Sequence, residues 1–176
     1  MIAAAALLRK YAPALRVRVV NVTDLMILAA GGTHPHALKD DDFDALFTRD
    51  RAIHMNFHGY PIELKGLLFG RPNLDRVTLE GYREEGTTTS PFDVSSLLSY
   101  LPSEDKRYLD YTLQMMLVNC TSRYHVAAAA VRGGSKHNPR ICAEATVLAA
   151  QFMHMAKKDH EYIHKYGEGQ IFSCVP

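Results

Sequence analysis

Apolar and polar positions in the first half of the chain predict helices and strands in alternation. Residues 3–11 are rich in alanine and leucine and end before Pro13, which is typical of a helix. Residues 17–22 are almost continuously β-branched, which predicts a strand buried on both faces. Residues 53–57 alternate apolar and polar side chains and stop before Gly59, which predicts a strand with one buried face. The pattern therefore favours a mixed α/β chain.

Local signals predict three more elements in this half. The acidic residues 40–42 precede apolar residues at helical spacing, and acidic side chains stabilise the positive end of a helix. Pro61 is favoured in the first turn of a helix, and apolar residues three and four positions apart follow it. Residues 77–81 predict another strand, and Ser90 with Pro91 predicts the start of a later helix.

The clearest predicted element is a long helix that Asn138 caps, Pro139 starts and Gly167 ends. Its apolar residues recur every three or four positions: Ile141, Ala145, Leu148, Phe152, Met155 and Tyr162. Asp159 is the one polar residue within this stripe, and residues 133–136 ahead of the helix are predicted to be a loop tip. The whole pattern predicts a single α/β domain, residues 1–176, folded as a three-layer helix–sheet–helix sandwich.

Composition narrows the class of protein. The 176 residues, of which 47% are hydrophobic, suffice for one folded domain with a core. The 20 basic and 19 acidic residues leave a net charge of +1, which removes the electrostatic reason to expect nucleic acid or an anionic membrane as partner. No apolar run approaches the roughly 20 residues of a membrane span. Three widely spaced cysteines suit free thiols in a reducing compartment, so we expect a cytoplasmic protein.

No recognisable catalytic motif is present in the sequence. His54 and His58 share a face of their predicted strand but would lie about 13 Å apart, too far for one zinc ion. The GxSxG elbow and both glycine-rich phosphate loops are missing. Cys120 and Cys142 stand in apolar contexts that favour structural thiols. We therefore predict no catalytic, cofactor-binding or metal-binding residue in this chain.

Residues 81–93 are the best candidate for contact with a ligand or a partner. They follow a predicted strand and lead into a predicted helix, at the edge of an open sheet where α/β proteins bind ligands. On physical grounds alone, a capped loop without function is the simpler interpretation. The candidate interface or ligand residues, here and in the preceding FHGYP segment, are His58, Tyr60, Arg83, Glu84, Glu85 and Thr87.

Six motifs, in matching order, resemble the C-terminal domain of phosphoketolases, and the last has the fungal-type form. They are VRVVNVTDLM (17–26), HPHALKDDDFDALF (34–47), FHGYP (57–61), LLFGRPN (67–73), EGYREEGTTTSPFD (80–93) and SRYHVAAAAVRGG (122–134). The resemblance covers about residues 3–93 and 115–166. It implies a fold similar to the transketolase C-terminal domain, in which a mostly parallel, mixed sheet lies between helices.

The resemblance also implies a function for the complete enzyme. Phosphoketolases cleave xylulose 5-phosphate or fructose 6-phosphate with inorganic phosphate to acetyl phosphate and an aldose phosphate, using thiamine diphosphate and Mg²⁺. They are homodimers of three-domain subunits, with the cofactor between the first two domains. This chain resembles the third domain alone and has no GDG…N diphosphate-binding motif. We therefore expect an inactive structural domain that contacts the remaining phosphoketolase domains.

Three departures from the family pattern lead to further expectations. The family places a strand ahead of residues 3–11 that is missing here, and residues 168–176 lose the family pattern, which suggests a fragment or a truncated gene product. Residues 94–114 form an insertion between two family motifs. A retained intron and a genuine surface loop are the two hypotheses for this insertion, and each predicts that it stays outside the core.

Two alternative functions stay open at this point. The chain could be a stand-alone binding module that kept the fold without the chemistry. It could also be a regulatory domain at the sheet edge, in which Arg71, Arg76 and Arg83 bind phosphorylated metabolites.

Overall fold

The computed structural model describes residues 1–82 and 121–166. Their helices and strands, in chain order, are α1 (Ile2–Tyr11), α2 (Asp40–Phe47), β1 (Ile53–Asn56), α3 (Pro61–Leu68), β2 (Val77–Glu80), α4 (Arg123–Ser135), α5 (Pro139–Cys142) and α6 (Ala145–Tyr166). Short 3₁₀ turns at Leu25–Leu28 and Leu74–Arg76 complete them. The predictions for Ser90, the insertion 94–114, Gly167 and the tail 168–176 lie outside the described residues.

The two strands form a parallel pair, which confirms the α/β class. Ile53 lies opposite Val77 and Asn56 lies opposite Glu80, so the strands are aligned from end to end. α3 connects them, because parallel strands need a crossover that returns the chain to the starting edge. Further strands, and the three-layer sandwich, stay predictions.

The prediction of a strand at residues 17–22 is wrong for the described part of the chain. Residues 16–23 make no backbone–backbone hydrogen bond there, and Val17 and Val19 are 45% and 42% exposed. β-branched residues favour an extended backbone, but a strand also requires a hydrogen-bonded neighbour. Instead, Arg18 Nη1 donates to the carbonyls of Ala45 and Leu46, at 3.0 and 2.8 Å, and holds the segment against the end of α2.

One core lies between α1, α4 and the C-terminal helices. Its fully buried members include Leu8 of α1, Tyr124, Ala127 and Val131 of α4, and Phe152 of α6. Consecutive alanines in α4 keep that helix narrow, so that its neighbours can pack closely on it. The predicted helix at residues 3–11 is confirmed as α1, which buries one face in this core.

The prediction of a loop tip at residues 133–136 is wrong, because Gly133 and Gly134 lie in the last turn of α4. A Cβ atom on Gly133 would collide with the side chain of Ala52, and one on Gly134 would collide with Leu15. The two glycines therefore allow the chain around α4 to approach its backbone. Their role depends on tertiary packing and not on a turn.

The predicted long C-terminal helix is interrupted early. Asn138 caps it as expected, since its side chain accepts from the Arg140 N–H at 3.1 Å. The N–H of Glu144 then donates to the carbonyl of Ile141, three residues earlier, at 3.1 Å. This is the hydrogen-bond spacing of a 3₁₀ turn, which is tighter than that of an α-helix, and it ends α5 before α6 begins. The predicted apolar stripe is confirmed, because its residues are buried or half-buried: Ile141, Ala145, Leu148, Phe152, Met155 and Tyr162.

A second core surrounds the parallel strands. Its buried members come from the first 3₁₀ turn, α2 and α3: Leu28, Phe43, Phe47, Leu64 and Leu68. Apolar side chains of β1 and β2 pack against them. The predicted helices at residues 40–47 and after Pro61 are both confirmed, and Pro61 occupies the first turn of α3. Within residues 1–82 and 121–166, no helix has the length and apolar character to cross a membrane.

Candidate functional site

The carboxyl ends of β1 and β2 lie at the same edge of the sheet and bring three rings together. His58 and Tyr60 follow β1, and Tyr82 follows β2. The Tyr82 hydroxyl and His58 Nε2 share a hydrogen bond of 2.8 Å, and their ring centroids lie 5.1 Å apart. Tyr60 meets Tyr82 edge to face, with centroids 5.7 Å apart. We call His58, Tyr60 and Tyr82 the aromatic edge cluster.

The backbone around Gly81 holds this cluster in place. The N–H of Phe57 donates to the carbonyl of Glu80 at 2.9 Å, and the N–H of Tyr82 donates to the carbonyl of Gly59 at 2.9 Å. A Cβ atom on Gly81 would lie 2.9 Å from the carbonyl oxygen of Phe57 and closer still to that of Gly59. Only glycine therefore allows the two segments to cross so closely that Tyr82 reaches His58.

Exposure makes the aromatic edge cluster suitable for contact with another molecule. His58 is exposed and Tyr60 is 42% exposed, while Tyr82 is half-buried. Tyrosine combines an apolar ring with a hydroxyl, and this is why it is enriched in protein interfaces. The structure thus brings together two of the predicted site residues and adds Tyr82, which was not among them. The other four lie outside the described residues: Arg83, Glu84, Glu85 and Thr87.

His54 lies on β1 and does not join the aromatic edge cluster. Both of its ring nitrogens are buried and have no hydrogen-bond partner in the described part of the chain. Burial lowers the pKa of His54, while the Glu80 carboxylate acts in the opposite direction. Among residues 1–82 and 121–166, no three histidine, cysteine, aspartate or glutamate side chains lie close enough to bind a metal ion.

Arg71 is a structural residue, because its side chain is wholly buried. Its Nη1 donates to Asp40 at 2.7 Å, and its guanidinium lies 4.4 Å from the ring centroid of Phe43. Its remaining contacts are hydrogen bonds to the carbonyls of Ile27, Leu28, Ala29 and Leu38. These bonds fasten the loop before α2 to the end of α3, and the guanidinium cannot reach an external phosphate.

Arg76 satisfies the C-terminal carbonyls of α2. It donates to the carbonyls of Phe47 and Thr48 at 3.1 and 2.7 Å, and to that of Arg51 at 2.8 Å. The last carbonyls of a helix lack partners within the helix, and a cation there is stabilised by the helix dipole. The hydrogen bonds of Arg71 and Arg76 thus serve the fold, which counts against the alternative in which Arg71, Arg76 and Arg83 bind a phosphorylated metabolite. Arg83, the third residue of that set, lies outside the described residues.

Two polar contacts of α4 were not predicted. The Ser122 hydroxyl caps α4 by accepting from the His125 N–H, and it lies 2.7 Å from Nδ1 of the same histidine. Arg123 Nη2 donates to Asp159 at 3.0 Å across the contact between α4 and α6. The signal for the second contact was present in the sequence, because Asp159 is the residue that interrupts the apolar stripe.

Comparisons with known proteins agree with each other. The XFP C-terminal domain family model matches residues 1–100 and 104–171. The chain is similar to the probable phosphoketolase of Schizosaccharomyces pombe, at 43% identity over 163 residues, which are 93% of this chain and 17% of that protein. It is also similar to probable phosphoketolase 1 of Rhizobium meliloti, at 39% identity over 168 residues, 95% of this chain and 18% of that protein. The chain thus spans less than a fifth of the length of these relatives.

Proposed function

The chain belongs to the XFP C-terminal domain family, and from that premise we propose that it works as the non-catalytic C-terminal domain of a phosphoketolase. The observation that carries the proposal is the extent of the match. The family model covers residues 1–100 and 104–171, and the probable phosphoketolases that match are several times longer than this chain. The remaining domains of such an enzyme are therefore its partners.

We propose that the complete enzyme cleaves xylulose 5-phosphate or fructose 6-phosphate with inorganic phosphate, giving acetyl phosphate and an aldose phosphate. Thiamine diphosphate with Mg²⁺ would supply the cleavage of the carbon–carbon bond. The described residues do not fit this cofactor, since they offer no cluster of metal-binding side chains, and Arg71 and Arg76 are engaged by backbone carbonyls. We therefore assign the cofactor to the other domains and no step of the reaction to this chain.

The role proposed for the chain itself is an interface role. The aromatic edge cluster exposes His58 and Tyr60 at the carboxyl edge of the strands, where α/β proteins bind ligands and partners. We propose that this cluster contacts the remaining phosphoketolase domains, and that the residues directly after Tyr82 extend the contact: Arg83, Glu84, Glu85 and Thr87. We further propose that the complete enzyme is a cytoplasmic homodimer.

A domain exchange tests the proposal. The C-terminal domain of the Schizosaccharomyces pombe relative is replaced by this chain, and acetyl phosphate formation from xylulose 5-phosphate is measured. We expect an active chimera, with activity reduced at least about tenfold by Tyr60→Ala, which removes an interface ring. Val147→Ala is the matched control, because Val147 is 70% exposed on α6 and lies outside the cluster.

Two results would contradict the proposal. One is a chimera that is soluble but inactive, although the same enzyme is active when its own C-terminal domain is reinserted at the same junctions. The other is saturable, micromolar binding of thiamine diphosphate and Mg²⁺ to this chain alone, measured by calorimetry. The first result would reject the assignment to a phosphoketolase, and the second would reject the non-catalytic role.

A further inference from the structure

The outward face of α3 carries apolar side chains where a surface helix usually carries charged ones. Ile62 is 69% exposed, and Phe69, directly after the helix, is 83% exposed, the highest value for a large apolar residue in the described part of the chain. Ile62, Gly66 and Phe69 follow each other at steps of four and three residues, so they form one row along this face. Leu64 and Leu68 on the other face are buried in the core around the strands. The helix thus has two apolar faces, and the described residues cover one of them.

Gly66 lies at the centre of this row and leaves a gap that no described residue uses. A Cβ atom at Gly66 would meet nothing within 4 Å. At Gly133 and Gly134, by contrast, the missing Cβ makes room for Ala52 and Leu15 of the same chain. Glycine costs a helix more stability than any other residue except proline. The gap at Gly66 therefore suits a group that approaches from outside the described residues.

We propose that the row of Ile62, Gly66 and Phe69 docks a helix of one of the remaining phosphoketolase domains, through an apolar side chain of that helix that lies over Gly66. The inference deepens the proposed function and rests on it, because the partner is a domain of the same enzyme. A small residue lets two helices approach closely, and the larger residues on either side form the walls of the gap. Exposed Glu63 and Lys65 flank the row, as the polar rim of an interface does.

The size and the place of the row favour a domain of the same polypeptide over a second copy of this chain. A specific interface between separate proteins takes about 20–30 residues from each side. The row is far smaller, and a contact of this size holds where covalent linkage raises the effective concentration of the partner. This chain matches only 17% and 18% of the length of two phosphoketolases, so most of such an enzyme lies outside it. Tyr60 of the aromatic edge cluster directly precedes α3, so the row continues the surface already proposed as an interface.

Hydroxyl-radical footprinting of the Schizosaccharomyces pombe chimera tests whether the row is covered. Phe69 should be oxidised rapidly in this chain alone. In the chimera, at the same radical dose, it should be oxidised at least about fivefold more slowly, because the core of an interface excludes water. The footprint is read whether or not the chimera is active, so it is independent of the acetyl phosphate assay that tests the proposed function.

Gly66→Leu tests the close approach of the partner helix. Leucine fills the gap, so Phe69 in the chimera should regain at least about half of the reactivity that it has in this chain alone. In this chain alone, the same substitution should raise the midpoint of thermal unfolding by about 2–3 °C, because leucine favours a helix more than glycine does. A loss of docking in the chimera is then not a failure to fold. Ala150→Leu places leucine at an exposed position of α6 and is the matched control, in which Phe69 should stay protected.

Three results would overturn the inference. Phe69 that is as reactive in an active chimera as in this chain alone would reject the docking surface and leave the proposed function in place. Phe69 that is already protected in this chain alone would assign the row to a second copy or to other residues of this chain. Phe69 that stays protected in the Gly66→Leu chimera would reject a closely packed helix as the occupant. An inactive chimera with a protected Phe69 would reject the proposed function and still support the docking surface.

Discussion

Arg123 Nη2 at the start of α4 lies 3.0 Å from Asp159 Oδ2 of α6, and this ion pair joins the two helices at the edge of their shared core. The Asp159 side chain is 9% exposed and that of Arg123 is 22% exposed. The guanidinium also lies 4.9 Å from the ring centroid of Tyr124. The ion pair therefore takes the place of an apolar contact at a position where the apolar stripe of α6 packs against α4.

Asp159→Ala should destabilise the chain, because it removes the carboxylate that faces the half-buried charge of Arg123. We expect the free energy of unfolding to fall by about 2–3 kcal/mol, below the ~3–5 kcal/mol of fully buried pairs, since Arg123 keeps some access to water. Urea unfolding followed by circular dichroism measures the change. Glu161→Ala on the same helix is the control and should change stability by less than about 0.5 kcal/mol, because Glu161 is largely exposed. Equal effects of the two substitutions would contradict the prediction.

Gly81→Ala should displace Tyr82 from His58. The added Cβ would collide with the carbonyl oxygens of Gly59 and Phe57, and relief of such contacts typically costs about 1–3 kcal/mol. Gly66→Ala is the matched control. Gly66 lies in α3, and its Cβ would meet nothing within 4 Å, so alanine should stabilise the chain by up to about 1 kcal/mol. Thermal unfolding of both variants tests this prediction: the midpoint temperature should fall for Gly81→Ala and rise for Gly66→Ala. Shifts of the same sign in the two variants would reject the prediction.

Arg71→Met should destabilise the loop that leads into α2. Methionine fills a similar volume but removes the Arg71 donor from the carbonyls of Leu28, Ala29 and Leu38, and each unsatisfied buried group costs about 1–3 kcal/mol. We expect a loss of at least about 3 kcal/mol, measured by urea unfolding. Arg49→Met is the control, because the Arg49 side chain is 72% exposed and its ion-pair partners are the carboxylates of Asp41 and Asp44. A loss no larger than that of Arg49→Met would show that Arg71 is dispensable.

Elements that depend on local physics could be predicted from the sequence. Pro61 marks the start of α3 because its ring fixes the first helical turn, and alternation along residues 53–57 identified β1 because its inner face is apolar. Residues 17–22 show the limit of this reasoning. Their composition favours an extended backbone, but no local signal states whether a neighbouring strand is present.

Tertiary contacts decide the remaining features. Gly133 and Gly134 looked like a loop because glycine favours turns, yet they serve close packing against Ala52 and Leu15, which are distant in sequence. The sequence alone suggested that Arg71 could bind a ligand, because the carbonyls to which it donates lie about 30–45 residues earlier in the chain. His58 and Tyr60 could be identified from their place after a strand, since the carboxyl edge follows from the topology.

His54 should make the stability of the chain fall as the pH drops below neutral. Burial lowers its pKa in the folded chain below that of the unfolded chain, which is near 6.5. At pH values between the folded and the unfolded pKa, the unfolded chain binds more protons than the folded chain, so protonation favours unfolding. The contribution of His54 to the free energy of unfolding is fully present above the unfolded pKa. It declines as the pH falls toward the folded pKa and does not change further below the folded pKa. His54→Gln should flatten the decline between about pH 7.5 and 5.5 in urea unfolding. An unchanged slope in His54→Gln would show that the imidazole of His54 is protonated equally in both states.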